Sequence, residues 1–168
     1  MSTLQTSSVP GLALGQAELM LDATSTRLSW SLGQASAVSS VVLPLGLVST
    51  GQRFKGTVPT PLELETVIAE VEDVVMPLAS QVPADLMLHL QGPAAALLSG
   101  QIGRTRAGHV EVSVDEFESV FNELAALSLG RPVSQTTLPL GHDLSVSVVV
   151  IRELLHHLRF RGVSMRVA

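Results

Sequence analysis

Residues 19–43 read LMLDATSTRLSWSLGQASAVSSVVL. Leu19-Met20-Leu21 is a short apolar run that stops at Asp22. Arg27-Leu28-Ser29-Trp30-Ser31-Leu32 alternates, and a third segment runs from Val38 through Val41, Val42 and Leu43. A period of two marks a half-buried strand, and Asp22-Ala23-Thr24 and Gly33-Gln34 have the composition of turns. Three short strands joined this tightly form an antiparallel meander.

Downstream the period changes to that of a helix. Thr60 stands as a cap, Pro61 suits the first helical position and Glu63 completes a capping box. Leu64, Val67, Ile68, Val71, Val74, Val75 and Leu78 then form one apolar stripe, and the helix is expected to stop near Met76, before Pro77. Leu86-Met87-Leu88-His89-Leu90 reads as a buried strand closing at Gln91-Gly92-Pro93, and residues 94–98 as one or two helical turns. Ser113 and Glu116 make a second capping box ahead of Phe117, Val120, Phe121, Leu124 and Leu127; Gly130-Arg131-Pro132 ends that helix. Val146 to Ile151 favours a strand locally, but Ile151, Leu154, Leu155 and Leu158 continue at helical spacing. The segment therefore reads as one buried helix from Asp143, its cap, to about Phe160, followed by a last strand at 163–167. The order is three strands, helix, strand, helix, helix, strand. Residues 1–16, rich in Ser, Thr and Gly, read as a flexible arm before a single domain at 17–168.

Composition narrows the functional classes. Of 168 residues 46% are apolar and 15% charged, which excludes a disordered chain. No uncharged apolar window approaches the roughly 18 residues of a membrane span. The net charge of −5 disfavours nucleic acid as a partner. Nine of the ten basic residues are Arg, with Lys55 the one lysine, and there is no cysteine, so thiol chemistry and disulfides are excluded. The first residues lack a basic start and a continuous apolar run, so no secretory signal is read, and a cytoplasmic location is expected by default.

A meander followed by helix-linked strands is the layout of the ribonuclease-H-like half-domain used by actin-like ATPases. The residues also resemble the second actin-like half of the exopolyphosphatase/guanosine pentaphosphatase (Ppx/GppA) phosphohydrolases. Leu43-Pro44-Leu45-Gly46-Leu47-Val48-Ser49-Thr50-Gly51-Gln52-Arg53-Phe54 is similar to that family's Leu-Pro-Leu-Gly-x-Val-Arg-Leu-x-x-x-Phe. Leu21-Asp22-Ala23-Thr24-Ser25-Thr26-Arg27-Leu28 stands where the family has a strand and Asp-x-Gly-Gly-Gly-Ser-Thr-Glu. Gly92-Pro93-Ala94-Ala95-Ala96-Leu97 looks like its Gly-Thr-x-x-x-Leu step, and residues 124–131 like its Leu-x-x-Leu-Ser-x-x-x-Arg helix end. The resemblance covers about 17–168 and implies an α/β ribonuclease-H-like fold with a mixed sheet, the meander and flanking helices.

The departures bear on function. The glycine triplet is replaced by Ala23-Thr24 in a loop about two positions shorter, and Ser49 replaces an arginine. Consecutive N–H groups in a glycine-rich turn cradle phosphate, and side chains in a shorter loop oppose that. Only sixteen residues precede Ala17, too few for the first half that the resemblance pairs with this one. The residues that the resemblance offers for phosphate or nucleotide are Asp22, Ser25, Thr26, Gly46 and Gly92. No catalytic residue is assigned, and Asp22 is the single candidate metal ligand, its bland alternative being a turn-starting polar residue. The preferred expectation is a non-catalytic domain acting through protein–protein contact or assembly, with no cofactor. The partner would be a second copy or a protein supplying the missing half; neither nucleic acid nor membrane is expected. The alternative is a phosphoanhydride hydrolase completed in trans, in which case Mg²⁺ would enter at Asp22.

Other polar residues have bland readings. Glu153, His156 and His157 form a solvated helix end, where the dipole favours His, although Glu153 and His157 lie one turn apart. His89 reads as a satisfied core or sheet-end histidine, and His109 and His142 as loop residues without partners. Glu63, Glu65, Glu70, Glu72 and Asp73 read as a solvated helix face. Arg152, Arg159, Arg161 and Arg166 are available to pair with such a face on a partner.

Overall fold

The computed structural model describes residues 5–7, 15–31, 38–102, 104–106 and 108–166, with backbone alone at 5–7 and 104–106. The meander is present as β2 (Gln16–Leu21), β3 (Thr26–Ser31) and β4 (Val38–Leu43), paired antiparallel with Leu19 opposite Leu28 and Leu28 opposite Val41. The expected turn at Gly33-Gln34 lies outside the described residues. β5 (Met87–Gln91) joins β2 in parallel, and β8 (Gly162–Arg166) joins β5 in parallel. The sequence β4-β3-β2-β5-β8, an antiparallel meander extended by two parallel strands, is the expected ribonuclease-H-like core.

Four elements go beyond the sequence reading. Within the expected arm, Gln5–Ser7 form β1 against β4; the rest of 1–14 lies outside the described residues. A hairpin of β6 (Arg104–Arg106) and β7 (His109–Ser113) adds antiparallel to β8, completing an eight-stranded sheet. A five-residue helix, α1 (Leu47–Gly51), follows β4.

The two capping boxes form as read. Thr60 accepts from the Glu63 N–H and Glu63 from the Thr60 N–H, opening α2 (Pro61–Val75); Ser113 and Glu116 do the same for α4 (Val114–Ser128). α2 gives way at Met76 to a 3₁₀ turn containing Pro77, which lacks the N–H a continuing helix needs. α3 (Gly92–Ser99) starts directly on β5.

α5 (His142–His157) is the buried helix expected there, with two corrections. Its cap is Gly141, not Asp143, which sits in the first turn; and it ends before Phe160. All side chains from 144 to 151 are buried. Burying a Val or Ile contributes about 1.5–3 kcal/mol, whereas the helix-propensity deficit of a β-branched residue is about 0.5 kcal/mol, so packing overrides the local strand preference.

Both parallel crossovers step through the sheet in the same direction, so right-handed connections place their helices on one face. α1, α2, α3 and α4 each contact α5 there. Leu19, Leu21, Leu28, Trp30, Val41, Leu88, Leu90, Val110, Val163 and Met165 point into this layer as one core. On the other face, Glu18 and Met20 of β2 and Met87, His89 and Gln91 of β5 are half-buried or exposed, whereas Ser29 of β3 and Ser164 of β8 are buried.

Candidate functional site

In open α/β sheets, ligands meet the carboxyl ends of parallel strands. That edge carries all five residues singled out from the sequence. β2 ends at the bend holding Asp22 and Ser25, β3 begins at Thr26, β4 leads to Gly46, and β5 leads to Gly92. The sheet brings them to one edge, but in different chemical states.

The bend after β2 is closed. The Asp22 N–H donates to Ser25 O at 2.9 Å, so Ala23 and Thr24 alone form the loop of the β2–β3 hairpin. This bend lies against α1. Asp22 O accepts the Leu47 N–H at 2.8 Å, and Ala23 O accepts those of Val48 and Ser49 at 2.8 and 3.1 Å. The hydroxyl of Ser49 donates to Thr24 O at 3.4 Å. A helix start leaves N–H groups that are otherwise available to an anion; at α1 the chain's own carbonyls take them.

Gly46 makes this approach possible. A Cβ on it would lie 2.5 Å from Ala23 O and from Thr24 C and Cα, closer than atoms can come. Its N–H donates to Thr50 Oγ1 at 3.2 Å. Thr26 is fully buried, and its hydroxyl donates to Leu45 O at 2.7 Å, clamping β3 to the segment before Gly46. Ser25 is half-buried and Asp22 exposed. Gly92, at φ +71°, meets only Met20 Cγ at 3.7 Å from a hypothetical Cβ. Beside it Gln91 Nε2 donates to Glu18 Oε2 at 2.7 Å. Asp22 thus offers one exposed carboxylate near a glycine-led helix start, with no basic side chain bonded to it among the described residues.

Several bland readings change. His142 opens α5, with its Nε2 3.1 Å from Gly56 O, and His109 begins β7, so neither lies in a loop. His89 Nε2 is buried without a hydrogen-bond partner, so that histidine is not satisfied. Arg152 is taken up inside the chain, with Nε 3.2 Å from Glu118 Oε2, Nη1 2.6 Å from Glu153 Oε1, and its guanidinium 4.4 Å above the Phe121 ring. Glu153 is buried, not solvated. On α2, Glu70 pairs with Arg53 at 2.9 Å and Glu72 faces His157. Glu72 and His157 lie at the far end of α5 from its first residue, His142, which lies against Gly51 of α1.

The fold and this edge define a ribonuclease-H-like domain of the kind found in actin-like ATPases. The chain is similar to solved structures of Ppx/GppA proteins. An Aquifex aeolicus PPX-GPPA enzyme is 13% identical with a TM-score of 0.63, over 95% of this chain and 55% of that one. An exopolyphosphatase from Cytophaga hutchinsonii gives 13% identity and a TM-score of 0.65, again over 95% and 55%. An exopolyphosphatase-like protein gives 14% and 0.63, over 94% and 57%. At these identities the likeness establishes the actin-like fold alone, and the chain spans about half the length of those proteins. No family model and no curated protein matches it. Among the described residues no helix is long and apolar enough to cross a membrane.

Proposed function

We propose that this chain is a non-catalytic, cytoplasmic domain related to the second half of the Ppx/GppA phosphohydrolases, acting through protein–protein association and needing no cofactor. One observation carries the reading: the backbone carbonyls of Asp22 and Ala23 accept the N–H groups at the start of α1, occupying the donors and the space that a phosphate would need. Phosphoryl transfer also requires charge neutralisation; among the described residues no lysine or arginine is bonded to this bend.

The sheet favours association. Parallel strands are found almost only with both faces covered. Here β2 and β5 present one face lined by half-buried and exposed side chains. The partner is a second copy or a protein supplying the other actin-like half, and the acidic net charge argues against nucleic acid.

Titration calorimetry with polyphosphate and nucleotides in the presence of Mg²⁺ tests the first part. No heat of binding is expected; micromolar binding abolished by Asp22→Ala would overturn it. Light scattering tests the second part, and a strict monomer at high concentration would count against self-assembly. The exposed Asp22 carboxylate at the edge that also carries Gly92 favours a second reading, a phosphoanhydride hydrolase completed in trans with Mg²⁺. Phosphate release that disappears in Asp22→Ala would establish that reading.

A further inference from the structure

We infer that Glu72, Glu153 and His157 form a binding site for a divalent transition-metal ion of the Zn²⁺ class, joining the ends of α2 and α5. The inference is independent of the reading of the Asp22 bend.

Two ligands come from α5, where Glu153 and His157 lie one turn apart and so share a face. The third comes from α2, packed against α5. His157 Nε2 lies 3.4 Å from Glu72 Oε1 and 3.3 Å from Glu153 Oε2, and the three ligand atoms fall within 4.8 Å of one another. Charge-assisted hydrogen bonds are shorter, about 2.7–2.9 Å, and one imidazole N–H cannot donate well to two carboxylates. Zinc takes nitrogen and carboxylate oxygen at about 2.0–2.2 Å in a tetrahedron, whose edges are then about 3.4 Å. The two distances from His157 match those edges. A rotation of Glu72, whose side chain is 40% exposed, shortens the third.

The surroundings point the same way. Glu153 is 1% exposed, and a buried carboxylate must be paired or coordinated. Arg152 Nη1 holds one oxygen, Oε1, and leaves Oε2 facing the site. That is how outer groups orient a metal ligand. Arg152 is also shared with Glu118, which His156 contacts at 2.9 Å. Glu72, Glu118 and Glu153 therefore set three negative charges against the single charge of Arg152. One imidazole among the ligands favours zinc over magnesium. Three protein ligands leave a fourth position for water, and the part-exposed His157 and Glu72 leave a path for the ion to enter.

Protein stripped with a chelator and titrated with Zn²⁺ against a chromophoric competitor tests the site. One Zn²⁺ is expected per chain, undisturbed by a hundredfold excess of Mg²⁺. The melting temperature should rise by about 5 °C when zinc exceeds Kd a hundredfold. Glu72→Gln and His157→Ala, both at part-exposed positions, should each weaken binding tenfold or more and remove the rise; His109→Ala should do neither. Absence of saturable binding, displacement by Mg²⁺, or affinity unchanged in the Glu72 and His157 variants overturns the assignment.

Discussion

Gly46 and Gly92 both stand between a strand and a helix at the same edge of the sheet, and they serve opposite purposes. Gly46 has no Cβ because the backbone of Ala23 and Thr24 occupies that space. Gly92 has almost nothing near it and is defined by its own φ of +71°. One glycine admits a neighbouring bend of the same chain; the other allows a change of direction. A glycine in the first situation is the kind of residue that elsewhere admits a ligand. The contrast teaches that retaining a glycine is not the same as retaining a binding site, because the chain itself can fill the space.

Three substitutions test this contrast, and their order matters more than any one value. Gly46→Ala should have the largest effect, destabilising the protein by about 3 kcal/mol or more. Overpacking alone costs about 1–3 kcal/mol, and moving the bend away also breaks the bonds from Leu47, Val48 and Ser49, at about 1 kcal/mol each. Urea denaturation measures the loss, and an unchanged midpoint would mean that the bend does not lie on α1. Thr26→Val should follow at about 1–2 kcal/mol, because it leaves Leu45 O without its buried donor. Amide exchange should quicken across β3 and the segment before α1. Gly92→Ala should be mildest, about 1 kcal/mol, the ordinary cost of an alanine in left-handed backbone. If Gly92→Ala exceeded Gly46→Ala, the two roles would be the reverse of those described.

How much of this could be read from residues alone depends on where each signal lies. The α2 and α4 starts were legible because Thr60/Glu63 and Ser113/Glu116 cap through their own side chains, three positions apart. α1 was not: its first N–H groups are satisfied by carbonyls some 25 positions upstream, and a carbonyl leaves no mark in a sequence. The meander showed in its alternation. β7 did not stand out, because His109-Val110-Glu111-Val112-Ser113 is short and pairs with β8 more than fifty residues later. At the candidate edge, Asp22, Gly46 and Gly92 were named through the family resemblance, but the closure of the bend was not legible, since it depends on the bend meeting the start of α1 some 25 positions later. For Glu153 the spacing to His157 was visible; its burial and its meeting with Glu72 were not, because α2 and α5 come together only in the folded chain.

The contrast between a sealed region and a partly open one continues along β5 to His89, three residues before Gly92, and gives the smallest predicted effect. His89 lies on the face of the sheet away from the helices, with Glu18 of β2 and Ser164 of β8 opposite it. Its Nε2 is buried without a hydrogen-bond partner. Burial pushes its pKa below the ordinary value, helped by His109 and by Arg161 and Arg166, while Glu111 opposes the shift. The folded protein therefore binds this proton less readily than the unfolded chain. Stability from this source is complete above the ordinary histidine pKa, about 6.5. It declines as pH falls from there toward the depressed folded value, and then levels off. Glu63, held low chiefly by the Thr60 N–H, and Glu118, where burial is outweighed by His156 and Arg152 together, act only in the more acidic carboxylate range. The two windows can thus be separated in one series of melting curves. His89→Gln should flatten the decline that begins below about pH 6.5 and leave the more acidic limb in place. A partner covering this face would exclude water further and deepen the upper limb. A decline that survives the substitution would place the titrating group elsewhere, and one that vanishes in wild-type protein would mean that water reaches Nε2 freely.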